Sequence, residues 1–404
     1  MSSPFAYAMY GLILCGVLSD IETGYQLGEL ALNLLAHLNA RPMQAKTWVV
    51  VYTNIKVWKV HIRETLNPLQ EAHQAGLVHG DFEFSGYAAL NRCYYLYATA
   101  YPLKEFQQEL QAYIQIFTKL NQCRNLDTLE MYLQITLNLT QPCNSPENLI
   151  GKAYNEDQRL PLLQQANDRH ALFHFYLQKL ILCYSFEKFE QASRYGAIAA
   201  QYLDGVVGLA LITLYYFYDS LAQLALYSSR STKEQDEILK HVAANQAKLQ
   251  CWAQHAPMNY LHRWYLVEAE RYRVLNQETD AINAYDTALS LAEKHEYIQD
   301  AALICELCTQ FYLNHAKLII AKAYLQEAQY YYRQWGAVTK VQALEARYSS
   351  WVKYALDRTA PPDDTASSLT SNAEILDLAT VMKASQAITS ELVLHKLLST
   401  LLRV

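Results

Sequence analysis

The chain predicts an all-α fold, a degenerate array of helical hairpins, and three observations carry that expectation. Apolar residues recur at spacings of three and four, strand signals are missing, and small residues return at a shared offset along the chain. A period of three to four places apolar side chains on one face of a helix, whereas a half-buried strand needs strict alternation. No alternating run bounded by Asn-Gly or Gly-Gly occurs in the 404 residues. Hydrophobic residues make up 52% and charged residues 18%, so the chain can bury a large core.

Read in order, the apolar opening Phe5 to Leu18 is expected to be a buried helix, too short to span a bilayer. It has no Lys or Arg before it, since the first basic residue is Arg41, so it does not read as a signal peptide. Gly24, Gly28 and Ala31 follow at offsets of four and three. Helix ends are expected at Arg41-Pro42, Tyr101-Pro102, the Gln141-Pro142 to Pro146 cluster, Pro161 and Ala256-Pro257, because proline lacks the N–H that an interior turn needs. Between them, Phe106, Leu110, Tyr113, Ile114, Phe117 and Leu120 form one stripe opposite Gln, Glu and Lys. Tyr176 leads a segment bearing Ala192, Gly196 and Ala199, and the apolar run Gly205 to Tyr218 reads as another buried helix.

The repeat is clearest farther on. Tyr265, Ala269, Tyr272, Ala281, Tyr285 and Ala288 alternate large and small residues as a tetratricopeptide unit does. Small residues let two helices cross closely while aromatic rings fill the gaps beside them. Forty residues later Ala321, Leu325 and Ala328 reproduce the second-helix pattern, with Tyr312 in the place of Tyr272. A solenoid of about eight such hairpins, each burying its apolar face on its neighbours, is expected over residues 1–356. The 32 tyrosines suit it, since each fills space with its ring and keeps a polar tip.

From 357 to 372 the chain loses periodicity and gains Pro361-Pro362, three Asp and several Ser and Thr, the composition of a flexible linker. Residues 373–404 then carry a narrow apolar stripe, Ile375, Leu378, Met382 and Ile388, wide enough for a two-helix seam. This connector helix folds back on the array, pairs with a second copy in a homodimer, or continues toward a further domain.

Most chemistry is disfavoured by residue type and spacing. Net charge is −6 without a long basic run, which argues against nucleic acid and against anionic membrane as partners. Eight scattered cysteines argue against a disulfide framework and for a reducing, cytoplasmic setting. Neither GxxxxGK[ST] nor GxGxxG is present, and Gly151-Lys152 lacks both the upstream glycine and the hydroxyl, so no cofactor-binding residue is assigned. His79-Gly80-Asp81-Phe82 reads as a turn between helices, because the remaining parts of a kinase catalytic loop are missing. Cys305 and Cys308 read as two small thiols on one helix, with no second pair to complete a zinc site. His170 and His174 share a helix face beside Asp168, yet lack the glutamate of a catalytic HExxH, so no metal is assigned. His255, Pro257 and His262, between Trp252 and Trp264, read as a polar hairpin turn packed with aromatics, and Asp363-Asp364 falls in the linker. No catalytic residue is assigned.

The wording of several segments resembles a known family. The phrase LDLATV-x-KASQAI-x-x-E near the end of the chain is similar to the stretch that leads into a GAF sensor domain in very large bacterial signalling kinases. SPFAYAMYGLILCG, DIETGYQLGELALNLL, LPLLQQANDRHALFHFYLQKLILCY and AYLQEAQYYYRQWGAVTKVQALEARY resemble the helical middle region of the same proteins. These combine a serine/threonine kinase, an AAA-type ATP-binding domain, the helical region, GAF and a histidine kinase. The resemblance implies an interaction or regulatory module with protein partners in the kinase/ATPase and GAF/histidine kinase modules. None of the family's catalytic or ATP-binding residues maps onto a position here, and no GAF domain follows within these residues. The rival expectation is a kinase fragment that binds ATP.

Overall fold

The computed structural model describes residues 3–120 and 123–359. The connector residues Ile375, Leu378, Met382 and Ile388, and nearly all of the expected linker, lie outside the described residues. Close contacts divide the chain into Met1–Arg347 and Tyr348–Val404, and every interaction below belongs to the first.

Among the described residues there are seventeen α-helices and no strand. The first eight are α1 (Ser3–Gly16), α2 (Ile21–His37), α3 (Gln44–Asn54), α4 (Leu66–His79), α5 (Phe82–Ala98), α6 (Leu103–Lys119), α7 (Cys123–Thr140) and α8 (Glu156–Gln165). After them come α9 (Arg169–Ser185), α10 (Phe189–Ala199), α11 (Ile212–Leu226), α12 (Thr232–His255), α13 (Pro257–Val274), α14 (Glu278–Lys294), α15 (Ile298–Asn314), α16 (Leu318–Trp335) and α17 (Val338–Thr359). Short 3-10 turns at Lys56–Trp58, Ile62–Thr65 and Ala200–Val206 interrupt the pattern. The chain is therefore all-α.

Consecutive helices pack as hairpins, α1 on α2, α4 on α5, α9 on α10, α13 on α14 and α15 on α16. Their junctions share one backbone device. Asn276, Glu296, Ala316 and Gly336, each twenty residues after the last, hold a left-handed conformation. Ser19 and Asn39, Gly80 and Ala100, and Asn167 and Glu187 repeat the same interval. A left-handed residue after a helix turns the next amide back onto the open carbonyls of the last turn. Accordingly Gln277 N donates to Tyr272 O (3.0 Å), Tyr297 N to Ala292 O (2.8 Å), Lys317 N to Tyr312 O (2.9 Å) and Ala337 N to Tyr332 O (2.9 Å).

Two kinds of helix alternate. In α9 every residue from Ala171 to Tyr184 is buried, and α5 is buried from Ala88 to Ala98. Other helices bury a single stripe, Ala192, Gly196 and Ala199 on α10, and Ala321, Leu325, Ala328, Tyr332 and Trp335 on α16. The closeness is real. A Cβ on Gly24 would lie 2.4 Å from Cys15 Sγ and 2.8 Å from the Gly11 carbonyl oxygen.

Three sequence expectations need correction. Pro161 lies inside α8 and does not end it; α8 has no buried residue, so water can serve the carbonyl that the proline leaves open. Helix α1 is buried on one face only: Tyr10, Ile13 and Met9 are exposed, as are Val17 and Leu18 just beyond it. The run Gly205 to Tyr218 is a helix only from Ile212, because Gly208 is left-handed and Val207 is extended. In addition, α17 runs three residues past Leu356, into the expected linker.

The expectation that each hairpin rests only on its neighbours also falls short. Residues about 200 positions apart pack directly, with the Trp58 and Trp252 rings stacked at 5.6 Å and the Tyr260 hydroxyl donating to Val57 O at 2.9 Å.

Candidate functional site

The long-range contacts converge on a buried polar clasp built by α13 and α15. Helix ends leave carbonyls without intrahelical partners, and α5 and the Lys56–Trp58 turn end inside the protein. Side chains from α13 and α15 meet those carbonyls. Asn259 Nδ2 donates to Val57 O (3.1 Å) and Val60 O (2.8 Å), while its Oδ1 accepts from Ile62 N (3.1 Å) and the Tyr297 hydroxyl (3.0 Å). Gln299 Nε2 and Arg263 Nη2 donate to Ala98 O at 2.8 and 3.3 Å. Arg63 donates to Thr99 O (2.8 Å) and Glu296 O (2.6 Å) and pairs with the Glu296 carboxylate. A cation beside a helix C-terminus is favourable on its own account, because the helix dipole is negative there.

At the centre Asp300 Oδ2 accepts from Arg263 Nε and from His262 Nε2, both at 2.8 Å. All three residues are about 1% exposed or less. Burial alone would raise the Asp300 carboxyl, but the Arg263 guanidinium and the His262 hydrogen bond hold it below its ordinary value. Burial pushes His262 down to about 4 against the opposing pull of Asp300, so the ring is neutral at pH 7. The stacked Tyr297 ring, 4.6 Å from it, covers its face. Such a cluster fixes geometry. Asp300 Oδ2 is engaged by both partners and the cluster is shielded from solvent.

A second clasp uses α17. Lys340 Nζ donates to Glu306 Oε1 (2.7 Å) and to Ser185 O at the end of α9, and the Tyr332 hydroxyl donates to Glu306 Oε2 (2.9 Å). Thr339 Oγ1 donates to Gln141 O, just past α7, at 2.6 Å. A cavity of about 160 Å³ adjoins this cluster, lined by Tyr184, Glu270, Arg273, Glu306 and Leu307 among others. Its charges are matched: Arg273 pairs with Glu270, and the Tyr285 hydroxyl also donates to Glu270.

The residues singled out for repeat packing take the following places. Ala269, Ala281, Tyr285, Ala288, Ala321, Leu325 and Ala328 are buried. Tyr265, Tyr272 and Tyr312 are half-buried, and Tyr312 stacks on Tyr324 at 5.6 Å with rings 7° from parallel. Gly80 caps α4, and Asp81 caps α5 by accepting from Phe84 N. Cys305 and Cys308 are buried on α15, and burial raises both thiols well above their ordinary value, which leaves them unreactive. His174 is fully buried, stacked on Tyr94 at 4.0 Å, and burial holds it neutral. His170 lies 4.6 Å from it, ring to ring, and Asp168 caps α9. No group of three or more metal-ligating side chains forms among the described residues.

His262 belongs to a buried helix and not to the hairpin turn expected from its sequence. Arg263 and Asp300 were missed altogether. One signal was present, since Asp300 and Glu306 interrupt the otherwise apolar DAALICELC, and a buried helix keeps charges only when they are paired. Their partners lie 37 and 34 positions away, and no local pattern names them.

No family model matches the chain. Over 65 residues, 16% of this chain, it is 37% identical to hybrid signal transduction histidine kinase G of Dictyostelium discoideum. The match spans 2% of that protein's length, so its activity as a whole bears on this chain only as a proposal. The similarity relates part of this chain to a signal-transduction kinase, and the all-helical fold accommodates that relationship. No helix among the described residues is long and apolar enough to cross a membrane.

Proposed function

We propose that the chain is a non-catalytic, cytoplasmic interaction and regulatory module of a signal-transduction kinase, coupling kinase/ATPase modules to a GAF and histidine kinase output. The observation that carries this reading is the 65-residue likeness to a histidine kinase. The chemistry of the described residues supports it, because the buried charges of both clasps serve to terminate helices and join distant segments. On this reading a tetratricopeptide-like stack of hairpins would offer its outward helix faces to protein partners. The inner helices are filled by the chain's own rings, so partners engage the outer faces.

Equilibrium binding of labelled ATP with Mg²⁺ to the full chain tests the absence of kinase chemistry. No saturable Mg²⁺-dependent binding is expected, and micromolar affinity would replace this reading with that of an ATP-binding kinase fragment. The stripe Ile375, Leu378, Met382 and Ile388 is proposed as a homodimer seam. Deleting residues 373–404 should lower the dimer fraction in sedimentation and leave the melting temperature of the array nearly unchanged.

A further inference from the structure

Helix α1 carries no charged residue between Ser3 and Gly16, and none follows it until Asp20. Gly11, Leu14 and Cys15 are buried, on the side that packs on α2 and α3. The other side is exposed and still apolar. Ala6, Tyr10, Ile13 and Val17 follow one another at spacings of four, three and four, with Tyr7 and Leu18 beside them. Val17 N donates to Ile13 O at 3.0 Å, so Val17 keeps the helical register just past the end of α1. Tyr10 is 55% exposed, Val17 60% and Leu18 62%. A helix face left to solvent normally carries polar residues. Apolar residues alternating by three and four are instead the pattern of a two-helix seam.

The charges at the two ends of this face select its occupant. Lys46 lies over the Phe5 ring at 5.4 Å, which sets a cation beside the first turn of α1. Asp20 and Glu22 follow its last turn, and both are exposed although one caps α2 and the other pairs with Lys59. Helix α1 itself has no acid in its first turn and no base in its last, so these neighbours oppose its dipole at both ends. A second copy laid antiparallel reverses that. Its Asp20 falls opposite Ser3 at the positive end, its Lys46 falls near Leu18 at the negative end, and the stripes between them meet without charge. Exposed side chains of this size offer on the order of 500 Å² per copy, so a pair buries about 1,000 Å², the lower bound for a specific interface.

We infer that the exposed face of α1 joins two copies of this chain, antiparallel about a two-fold axis between Gly11 and Leu12, so that Tyr10 of each copy meets Ile13 of the other. This seam is separate from the one proposed for residues 373–404, and its test reads residues of α1 alone. In oxidative cross-linking of the full chain, an equimolar mixture of Tyr10→Cys and Ile13→Cys should form disulfide-linked dimers about tenfold more than either variant alone, because only the mixed pair brings the two new thiols within bridging distance. The parent chain, whose Cys143 and Cys251 are partly exposed, sets the background. In sedimentation at up to about 100 μM, Ile13→Glu should weaken self-association by about tenfold or more, since it sets a carboxylate into an apolar seam, with a melting temperature close to the parent. Mixed cross-linking no greater than the parent's, each variant linking to itself as well as the mixture does, or self-association indifferent to Ile13→Glu would each overturn the assignment. If Ile13→Glu does not fold, the cross-linking comparison decides alone.

Discussion

At the scale of single residues, the most consequential side chain is Asp300. It is buried to 1% exposure with Arg263 and His262 as its partners, so its removal strands a buried cation. Asp300→Ala should destabilise the protein by about 3–5 kcal/mol, measured by denaturant unfolding, because breaking one side of a buried pair leaves an uncompensated charge. Arg263→Ala should cost a similar amount, and the double variant should cost much less than the sum. Two histidines give opposite pH dependences. His262 is depressed to about 4, so its contribution is present above 6.5 and is lost as pH falls through 4. His241 donates to Asp219 at 2.5 Å, and that bond raises its pKa against the effect of burial. Its contribution is complete below 6.5 and disappears as pH rises through the raised value. A melting-temperature profile should therefore fall on the acid side less steeply in His262→Gln, and on the neutral side less steeply in His241→Gln. An unchanged acid limb in the first variant would remove His262 from this account.

At the scale of elements, the hairpins depend on two local features, small residues at crossings and left-handed residues at junctions. Gly24→Ala sets a methyl against Cys15 Sγ and the Gly11 carbonyl oxygen, and the second of these is backbone that cannot step aside. The expected cost is about 1–3 kcal/mol, as for other overpacked sites, read by thermal or urea unfolding. Ala316 is exposed and left-handed with φ of 57°, so its conformation is the only local demand on it. Ala316→Val should destabilise by about 1–2 kcal/mol through the β-branched clash in that region, while Ala316→Gly should be close to neutral. Equal effects of valine and glycine would argue against strain at the junction. These features were partly legible. Gly24, Gly28 and Ala31, like Ala321, Leu325 and Ala328, announce a crossing by their offsets of four and three. The left-handed junctions were not, because Glu296 and Ala316 lack the glycine that usually marks them, and the tight hairpin imposes the conformation on them.

At the scale of the whole molecule, the segment around Val57 to Ile62 and the end of α5 are joined to α13 and α15, about 165 to 203 residues later in the chain. A linear array held only by nearest neighbours can fray repeat by repeat. Segments joined by Asn259, Arg263 and Gln299 should instead gain and lose protection together. Hydrogen exchange should show the amides of Ile62 and of α13 and α15 opening with one free energy, and Asn259→Ala should lower both. Independent exchange of the two regions would contradict the clasp.

What the sequence by itself determined is the class of structure, an all-helical chain, together with the few helix ends that proline marks, both of which follow from local periodicity and proline placement. Only the tertiary structure decided which charges are buried and which distant carbonyls they meet. It also placed His262 inside a helix core and left one face of α1 exposed. The physical reason is that side-chain pairing across nearly 200 residues depends on how the hairpins stack. Hydropathy at Arg263 or Asp300 taken alone marks a surface position, and only the pairing of the two makes their burial tolerable.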